Sequence, residues 1–302
     1  MRRWPPGGRA VLLTVVVLLT ACSSDGDDAT GPELDEPSTT AGASGTFTSL
    51  TYNVAGLPQG INPDQFPERN TPLISPLLNA YDVVLVQEDF GIYTDRLRAD
   101  VDHEFLSEPH PGPGELNPID RSSAAVGDGL NILSREPFGA LDRVPWTGCG
   151  DASADCLALK GFAATTLTLA DGVTVELYTL HLEAGGVDTA LRGDDLDQLA
   201  AHLEANAPSA VLIGGDWNLN YDEAPDGDQL RGFMEETGLQ DVCDVVDCGA
   251  DDDVIDRFLF RSGDDVTLTP TSHRFERETF VDPSGAPLSD HDPLAVEWSW
   301  ST

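Results

Sequence analysis

The stretch Ile213-Gly214-Gly215-Asp216-Trp217-Asn218-Leu219-Asn220 decides how this chain is organised. The apolar run that leads into it predicts a short buried strand, and the two glycines predict the end of that strand. Because alternate residues share one side of a strand, Asp216 and Asn218 can face the same cleft. Their oxygens suit a divalent cation or a phosphate oxygen. A plain turn after a strand, which also favours Gly, Asp and Asn, is the alternative interpretation.

Polar side chains recur at the ends of other predicted strands. The Val- and Leu-rich run 81–87, for example, is followed at once by a glutamate. The side chains placed in this way are Asn53, Glu88, His181, Asp216, Asn218, Asp290 and His291. We expect them to share one cleft above the strand ends, because a common site is the simplest explanation for the repetition.

The residue types in this set indicate a class of reaction. Carboxylate and amide oxygens favour Mg²⁺ over Zn²⁺ as a bound metal. Two histidines can supply an acid, a base or a hydrogen bond to phosphate. No motif for a nucleophilic serine or cysteine accompanies them, so the pattern predicts metal-assisted attack of water on a phosphoester.

Strands and helices mix along the whole chain, which predicts an α/β or α+β protein with mixed sheets. The segments 162–169 and 173–180 predict a hairpin around an Asp-Gly turn. A long amphipathic helix is predicted over 188–205 and a shorter one over 92–101. The segment 106–128, rich in Pro, Gly and Ser, predicts a long surface loop.

The N-terminus has the pattern of a signal for export. Residues 1–21 combine three arginines with an apolar core, which is too short to be a comfortable transmembrane helix. The ending Leu19-Thr20-Ala21-Cys22 resembles a bacterial lipobox, which implies cleavage before Cys22 and lipid on its sulfur. A plain secretory signal is the alternative. Residues 22–45 lack large apolar side chains and predict a disordered tether, and 46–302 predict one domain.

The charge balance restricts the partners of the protein. The formal net charge is −37, and it would be −40 without the three arginines of the predicted signal. Such a field disfavours tight non-specific binding to nucleic acid, although a local cation site could still offset it in a nuclease. We expect a monomer that is exported and anchored by lipid at the bacterial cell surface, or secreted.

The four cysteines beyond Cys22 form two local pairs, Cys149 with Cys156 and Cys243 with Cys248. In an exported protein such an even set predicts disulfides between the near neighbours. A zinc site is the competing interpretation, but neither spacing is Cys-x₂-Cys and no histidine stands beside either pair. The remaining histidines have no comparable context and are expected at the surface: His103, His110, His202 and His273.

Six short motifs, in this order and spanning residues 47 to 298, resemble those of the endonuclease/exonuclease/phosphatase superfamily. They are Thr51-Tyr52-Asn53, Val86-Gln87-Glu88, Thr179-Leu180-His181-Leu182, Gly215-Asp216-Trp217-Asn218, Ile255-Asp256-Arg257-Phe258 and Leu288-Ser289-Asp290-His291-Asp292-Pro293. Each motif alone is weak, but six in the family's order are specific. The resemblance implies a four-layer sandwich of two mixed β-sheets flanked by helices.

Within the superfamily, Gly148-Cys149-Gly150 and Lys160-Gly161-Phe162 resemble a segment of secreted bacterial sphingomyelinases C. Lys160 is the only lysine of the chain, which places a single such cation in the expected cleft or, alternatively, on the surface. Arg257 stands where the superfamily usually has tyrosine. No aromatic hairpin for entering lipid is evident, because arginines and glutamates surround Phe275 and Phe280.

The resemblance implies a role for each matching residue. Glu88 is expected to be the main ligand of Mg²⁺ or Mn²⁺, with Asn53 and Asp290 beside it. His291 is expected to be the general base that takes a proton from the attacking water. Asp256 is expected to accept a hydrogen bond from His291 and to fix its tautomer.

The other matching residues are expected to act on the substrate. Asp216 and Asn218 would orient the water and the phosphate, and His181 would donate a hydrogen bond to a phosphate oxygen. Lys160 would bind the substrate. The resemblance thus implies a Mg²⁺-dependent phosphodiesterase that releases phosphocholine from a phospholipid. An extracellular Mg²⁺-dependent endonuclease and a catalytically inactive binding protein on the same scaffold are the alternatives.

Overall fold

The computed structural model of the protein describes residues 42–114, 119, 121–150, 155–205, 209–249 and 254–302. The predicted signal peptide, the lipidation of Cys22 and nearly all of the predicted tether lie outside the described residues. In the described part, no helix combines the length and the apolar character that a membrane crossing requires.

The described residues form strands and a smaller number of helices. The strands are β1 (Ser44–Asn53), β2 (Val83–Gln87), β3 (Phe105–Leu106), β4 (Asn131–Ser134), β5 (Asp142–Pro145), β6 (Gly161–Ala170), β7 (Val173–His181), β8 (Val211–Asp216), β9 (Gln240–Asp241), β10 (Asp256–Arg261), β11 (Thr267–Phe275) and β12 (Leu294–Ser301). The α-helices are α1 (Pro67–Ile74), α2 (Thr94–Leu97), α3 (Thr189–Ala205) and α4 (Asp226–Thr237). Short 3₁₀ segments cover Ser75–Ala80, Asp155–Leu157 and Val242–Asp244.

The strands form two six-stranded sheets. The first has the order β11-β12-β1-β2-β4-β3 and the second the order β5-β6-β7-β8-β10-β9. Each sheet has one parallel pair, β1 with β2 and β7 with β8, while the other neighbours are antiparallel. Both sheets are therefore mixed, as the sequence predicts.

Three apolar layers hold the sheets and helices together. The middle layer joins the facing sides of the two sheets, with Leu85 from β2 and Leu177 from β7 among its buried members. A second layer packs α3 and α4 on the outer side of the second sheet, and a third packs α1 and α2 on the outer side of the first. Burial of apolar area is the main favourable term for such packing. The four-layer sandwich predicted from the resemblance is confirmed.

Some local predictions need correction. The helix predicted over 92–101 is a single turn, because the N–H of Asp100 bonds the Oγ of Ser75 at 2.9 Å instead of continuing the helix. Strand β11 was not predicted from the sequence. Its polar residues alternate with buried Leu268 and Pro270, since it is an edge strand with one solvated face.

The sheet topology brings the polar strand ends together. In the parallel pair of the first sheet Asn53 lies opposite Gln87, and in that of the second sheet His181 lies opposite Asp216. The antiparallel neighbour β10 begins with Asp256, which also pairs with Asp216. Parallel neighbours end at the same edge of a sheet, and ligands of α/β proteins bind outside such carboxyl ends. The two sheets thus deliver their end residues to one region.

Candidate active site

A pocket of about 360 Å³ opens above the strand ends. Its polar residues are Asn62, Glu88, Asp155, Lys160, His181, Asp216, Asn218 and His291. Its apolar residues are Leu57, Ile61, Phe90, Ala125, Val126, Leu157, Ala158 and Ala184. The pocket therefore has one wall that can perform chemistry and one wall that can accommodate an apolar group.

Asp216 is a carboxylate of the polar wall that lies close to three polar side chains of the site. It is almost fully buried at the end of β8, and its Oδ2 lies 3.0 Å from Asn53 Nδ2 and 3.2 Å from His181 Nε2. The same oxygen lies 3.6 Å from His291 Nε2. Burial raises the pKa of Asp216 to about 6, although the neighbouring imidazole opposes the shift. Asp216 thus links both histidines of the site.

His291 lies between two carboxylates. Its Nδ1 is 2.7 Å from Asp256 Oδ2, and its Nε2 is directed toward Asp216. Burial alone would lower the pKa of His291, but Asp256 and Asp216 outweigh this effect and raise it to about 10. These three side chains could also enclose a metal ion, and the hydrogen bond between His291 and Asp256 already engages one ligand atom of each of these two residues. The arrangement favours proton transfer at Nε2, with Asp256 fixing the ring.

His181 is buried at the end of β7 and differs electrostatically from His291. Burial and the charge of Lys160 hold the pKa of His181 well below its usual range, so the ring is neutral at physiological pH. Its Nε2 lies 3.2 Å from Asp216 Oδ2, a position from which a neutral imidazole protonated at Nε2 can donate to this carboxylate. The carbonyl oxygen of His181 accepts a hydrogen bond of 2.8 Å from the indole nitrogen of Trp146. This tryptophan holds the strand end and could not be assigned to the site from sequence.

Glu88 projects from a left-handed backbone conformation immediately after β2, with φ of 61°. Close backbone packing accompanies this turn, since a Cβ on Gly56 would overlap the carbonyl oxygen of Glu88. Its Oε1 accepts a hydrogen bond of 3.1 Å from Asn53 Nδ2, and burial raises its pKa. Within the described residues Glu88 forms no ion pair. A divalent cation would compensate this buried carboxylate, so the donor set fits Mg²⁺ or Mn²⁺.

Asn53, the expected metal ligand beside Glu88, lies among the carboxylates of the site. Its amide nitrogen donates to Glu88 and Asp216, while its Oδ1 accepts the N–H of Ala55 at 3.0 Å. The backbone N–H thus engages one of the two lone pairs of this oxygen. Through its amide nitrogen, Asn53 orients the two carboxylates.

Asp290 does not join Glu88 in the pocket. It is exposed and lines a neighbouring concavity of about 330 Å³ on the far side of His291. The adjacent Ser289, which sequence reasoning missed, donates from its Oγ to the carbonyl of Asn53 at 2.7 Å and accepts the N–H of His291 at 3.2 Å. Ser289 therefore connects the loop that carries His291 to the end of β1.

Lys160 lies in the pocket and not on the surface. Its Nζ is 2.6 Å from Asp155 Oδ1, and both side chains are only 6% exposed. Asn218 is partly buried beside it with φ of 50°, and its Nδ2 donates to the carbonyl of Leu182 at 3.1 Å. The structure thus brings together every expected site residue except Asp290. Asp155, which completes the lysine's ion pair, was missed.

Both expected disulfides, Cys149–Cys156 and Cys243–Cys248, are present. Folding brings His273 beside the second pair, which sequence spacing did not show. The bond between the two sulfurs removes the thiolates that a zinc ion would need, so this cluster is not a metal site. His103, expected at the surface, is instead buried and lies 2.9 Å from the carbonyl of Tyr81.

Comparison with known proteins supports the resemblance seen in the motifs. No family model matches the chain. Sphingomyelinases of Mycobacterium bovis and Mycobacterium tuberculosis are 34% identical over 273 residues, which is 84% of this chain and 52% of each relative. The chain thus spans about half the length of the curated relatives it matches.

Solved structures show the same fold. A variant of the Staphylococcus aureus beta toxin with bound magnesium ions superposes with a TM-score of 0.60 at 16% identity, covering 83% of this chain and 99% of that one. Sphingomyelinase C from Streptomyces griseocarneus gives 0.59 at 20% identity, covering 84% and 99%. We conclude that the chain has the fold of the endonuclease/exonuclease/phosphatase superfamily and resembles the bacterial sphingomyelinases within it.

Proposed function

We propose that this protein is a Mg²⁺-dependent phosphodiesterase that hydrolyses a phospholipid of the sphingomyelin type. The observation that carries the proposal is the two-sided pocket, in which carboxylates and imidazoles face an apolar wall. A phospholipid has the matching division, with a phosphodiester beside an apolar body. The sequence relatives bear the name sphingomyelinase, which supports the same substrate class.

The polar wall supplies the proton transfers. Asp256 holds the His291 ring so that Nε2 faces the pocket, where it exchanges a proton with the attacking water. Because the unliganded site favours the imidazolium, His291 must lose its proton before it can act as the base. Asp216 Oδ2 lies 3.6 Å from Nε2 of His291, and from this position it would orient the imidazole and the attacking water.

Several residues would stabilise the negative charge that develops on the phosphoryl oxygens. Glu88 would hold the metal ion, which supplies Lewis-acid stabilisation of that charge when bound. Lys160 contributes a fixed ammonium in the same pocket, and His181 and Asn218 line the space beside it. Preorganised groups of this kind usually give the largest catalytic contribution.

The apolar wall distinguishes a lipid from a nucleic acid. Ile61 and Leu157 line the pocket yet remain 54% and 41% exposed, so apolar surface continues from the pocket to the protein exterior. A nuclease needs clustered basic residues to hold several phosphates. The chain has only 16 basic residues against 53 acidic ones, and among the described residues that line the pocket Lys160 is the one lysine or arginine.

We further propose that the enzyme is exported and held at the cell surface by lipid on Cys22. The two disulfides support an oxidising compartment. This location would place the pocket where a membrane phospholipid can reach it.

The test offers one purified preparation with Mg²⁺ three substrates: sphingomyelin in mixed micelles, supercoiled plasmid and soluble bis(p-nitrophenyl) phosphate. We expect phosphocholine release from the micelles, intact plasmid, and loss of hydrolysis in His291→Ala. Plasmid nicking without phosphocholine release would support the nuclease instead. No hydrolysis of any substrate would support the inactive binding protein.

A matched pair of variants tests the apolar wall. Leu157→Ser should raise KM for micellar substrate and leave hydrolysis of the soluble phosphodiester unchanged, because only the lipid contacts that wall. Val245→Ser changes a side chain that is 48% exposed but does not line the pocket, and neither activity should change. Equal effects of the two variants would contradict the role of the wall.

A further inference from the structure

The backbone turn that carries Glu88 is the feature of the site that most needs an explanation. Glu88 directly follows β2, and its φ of 61° lies in the left-handed region. A residue with a Cβ rarely adopts this conformation and keeps it only where the surrounding structure holds it there. The turn ends β2 and places Glu88 among the residues that line the pocket.

The glycines beside the turn permit it but do not hold it. A Cβ on Gly129 would lie 3.1 Å from the Cα of Glu88 and 2.7 Å from the ring of Phe90, so the two segments pack closely here. Glycine removes a steric obstacle and adds no side-chain bond. Another group must therefore stabilise the left-handed conformation.

Asp89, the next residue, is bonded through its backbone to the start of β4. It is only 5% exposed. Its N–H donates to the carbonyl of Gly129 at 2.9 Å, and its own carbonyl accepts from Asn131 Nδ2 at 3.1 Å. Both backbone polar groups that follow the turn are thus fixed by the segment that packs against Glu88.

The side chain of Asp89 adds a second set of bonds. Its Oδ2 accepts from Asn131 Nδ2 at 2.9 Å, and its Oδ1 accepts from the hydroxyl of Thr94, the first residue of α2. Both partners are buried. The carboxylate therefore joins β4 to α2 across the end of β2.

Stability alone is a weak explanation for this carboxylate. Removing an ionised group from water is costly, and a neutral side chain could serve two neutral partners in a purely structural position. Asp89 is not among the described residues that line the pocket, so it has no direct access to a substrate. Its bonds converge instead on the segments around Glu88. Such outer partners orient the ligands of metal sites.

We propose that Asp89 is a positioning residue of the cation site, which holds the left-handed turn at Glu88 and thereby sets the affinity of that carboxylate for Mg²⁺. The proposal rests on the proposed function. It predicts that Mg²⁺ binding depends on the hydrogen bonds of residue 89 and not on its charge. A purely structural residue would change the melting temperature and leave the affinity for Mg²⁺ unchanged.

The test measures Mg²⁺ binding by titration calorimetry in the absence of substrate. Asp89→Ala should weaken binding by about 10- to 100-fold, the usual effect of losing an outer partner of a metal ligand. Asp89→Asn should bind close to wild type, because its amide oxygen can accept from Asn131 and its amide nitrogen can donate to the Thr94 hydroxyl. Equal weakening in both variants would assign the effect to charge and overturn the proposal, as would unchanged affinity in Asp89→Ala.

A second variant covers the case in which Asp89→Ala does not fold. Thr94→Val removes one hydroxyl with little change of shape and should weaken Mg²⁺ binding in the same direction, by a smaller factor. Unchanged affinity in this variant would overturn the proposal.

Asp82→Ala is the matched control, at the opposite end of β2. Asp82 directly precedes that strand, and its Oδ2 accepts the hydroxyl of Thr48 at 2.9 Å and the N–H of Thr48 at 2.8 Å. The same substitution should lower the melting temperature here and leave Mg²⁺ binding unchanged. An equal loss of affinity in Asp82→Ala and Asp89→Ala would indicate a general weakening of β2 and refute the positioning role.

Hydrolysis of bis(p-nitrophenyl) phosphate separates this proposal from the proposed function. If wild-type protein hydrolyses no phosphodiester but Mg²⁺ binding is weakened in Asp89→Ala alone, the function fails and the positioning role stands. If wild-type protein is active, raising the Mg²⁺ concentration should restore hydrolysis in Asp89→Ala, because the defect lies in affinity. An active wild type with unchanged Mg²⁺ binding in Asp89→Ala would leave the function intact and overturn the positioning role. Wild-type protein that binds no Mg²⁺ would overturn both the positioning role and the metal assignment.

Discussion

Two buried carboxyl groups behind the pocket predict that the folded protein loses stability as the pH rises above neutrality. Glu183 is fully buried, Asp195 is 2% exposed, and the backbone N–H of Glu183 lies 3.4 Å from Asp195 Oδ2. Burial, and then the charge of Glu183, raises the pKa of Asp195 to about 8. Burial likewise raises the pKa of Glu183 to about 7.

The sign and size of the effect follow from proton linkage. In the unfolded chain these carboxyl groups titrate near pH 4, so between pH 4 and 8 the folded state binds more protons. Stability then falls with rising pH by about 1.4 kcal/mol per pH unit for each such proton. Asp195 alone should remove about 2 kcal/mol between pH 6.5 and 8.

Three histidines also change how the free energy of unfolding depends on pH, each in a known direction. The lowered pKa values of His103 and His181 stabilise the folded state as the pH rises toward 6.5, but their effect is complete above that pH. The raised pKa of His291 acts in the same direction as Asp195. A difference between variants is therefore needed to isolate Asp195.

The assay is urea unfolding at pH 6.5, 7.2 and 8.0, followed by the fluorescence of the buried tryptophans. The side chain at position 195 in Asp195→Asn is neutral at all three pH values. Between pH 6.5 and 8.0 the free energy of unfolding of this variant should therefore fall by about 2 kcal/mol less than that of wild-type protein. Asp228→Asn, on the exposed surface, is the control and should follow wild type. Parallel curves for wild-type protein and Asp195→Asn would refute the reasoning.

Two further predictions concern catalysis. EDTA should abolish phosphodiester hydrolysis and Mg²⁺ or Mn²⁺ should restore it, while Glu88→Gln should lose most of the activity and the stabilisation by Mg²⁺ in a thermal melt. Full activity in EDTA would rule out the metal assignment. His291→Ala should lower kcat by about 10²–10⁴-fold, and Asp256→Asn should have a smaller effect with the fold kept, as circular dichroism can check. Near-normal turnover of His291→Ala would assign proton transfer to another group.

Local patterns in the sequence were sufficient to predict the helices and strands that have a strong hydrophobic periodicity. The Asp171-Gly172 turn and the alternation around it predicted the hairpin of β6 and β7, and the period of 188–205 predicted α3. Short or weakly patterned elements were predicted wrongly or missed, because contacts with residues distant in sequence decide where they begin and end. The helix predicted over 92–101 stops after one turn, since Asp100 bonds a side chain that is distant in sequence.

The candidate site was only partly predictable for a similar reason. The polar residues of the site could be selected from the sequence because they directly follow predicted buried strands. Residues at the end of a buried strand lie at the edge of the sheet, where a cleft can form. The orientation of Asn53 and the exclusion of Asp290 from the pocket depend on which neighbours each side chain meets. Trp146 and Ser289 each donate a hydrogen bond to a backbone carbonyl that is distant in sequence, and no pattern in the sequence marks such bonds.

The sequence by itself determined the mixed strand and helix pattern, the six ordered motifs and the two cysteine pairs, because each depends on residues close together along the chain. Only the tertiary structure decided that Lys160 is buried against Asp155 and that Asp216 lies 3.6 Å from the ring nitrogen of His291 that does not contact Asp256. The opposite pKa shifts of His181 and His291 arise from burial and from charges contributed by distant segments. Electrostatic interactions depend on distance in space and on exclusion of water, and both are set only when the two sheets pack together.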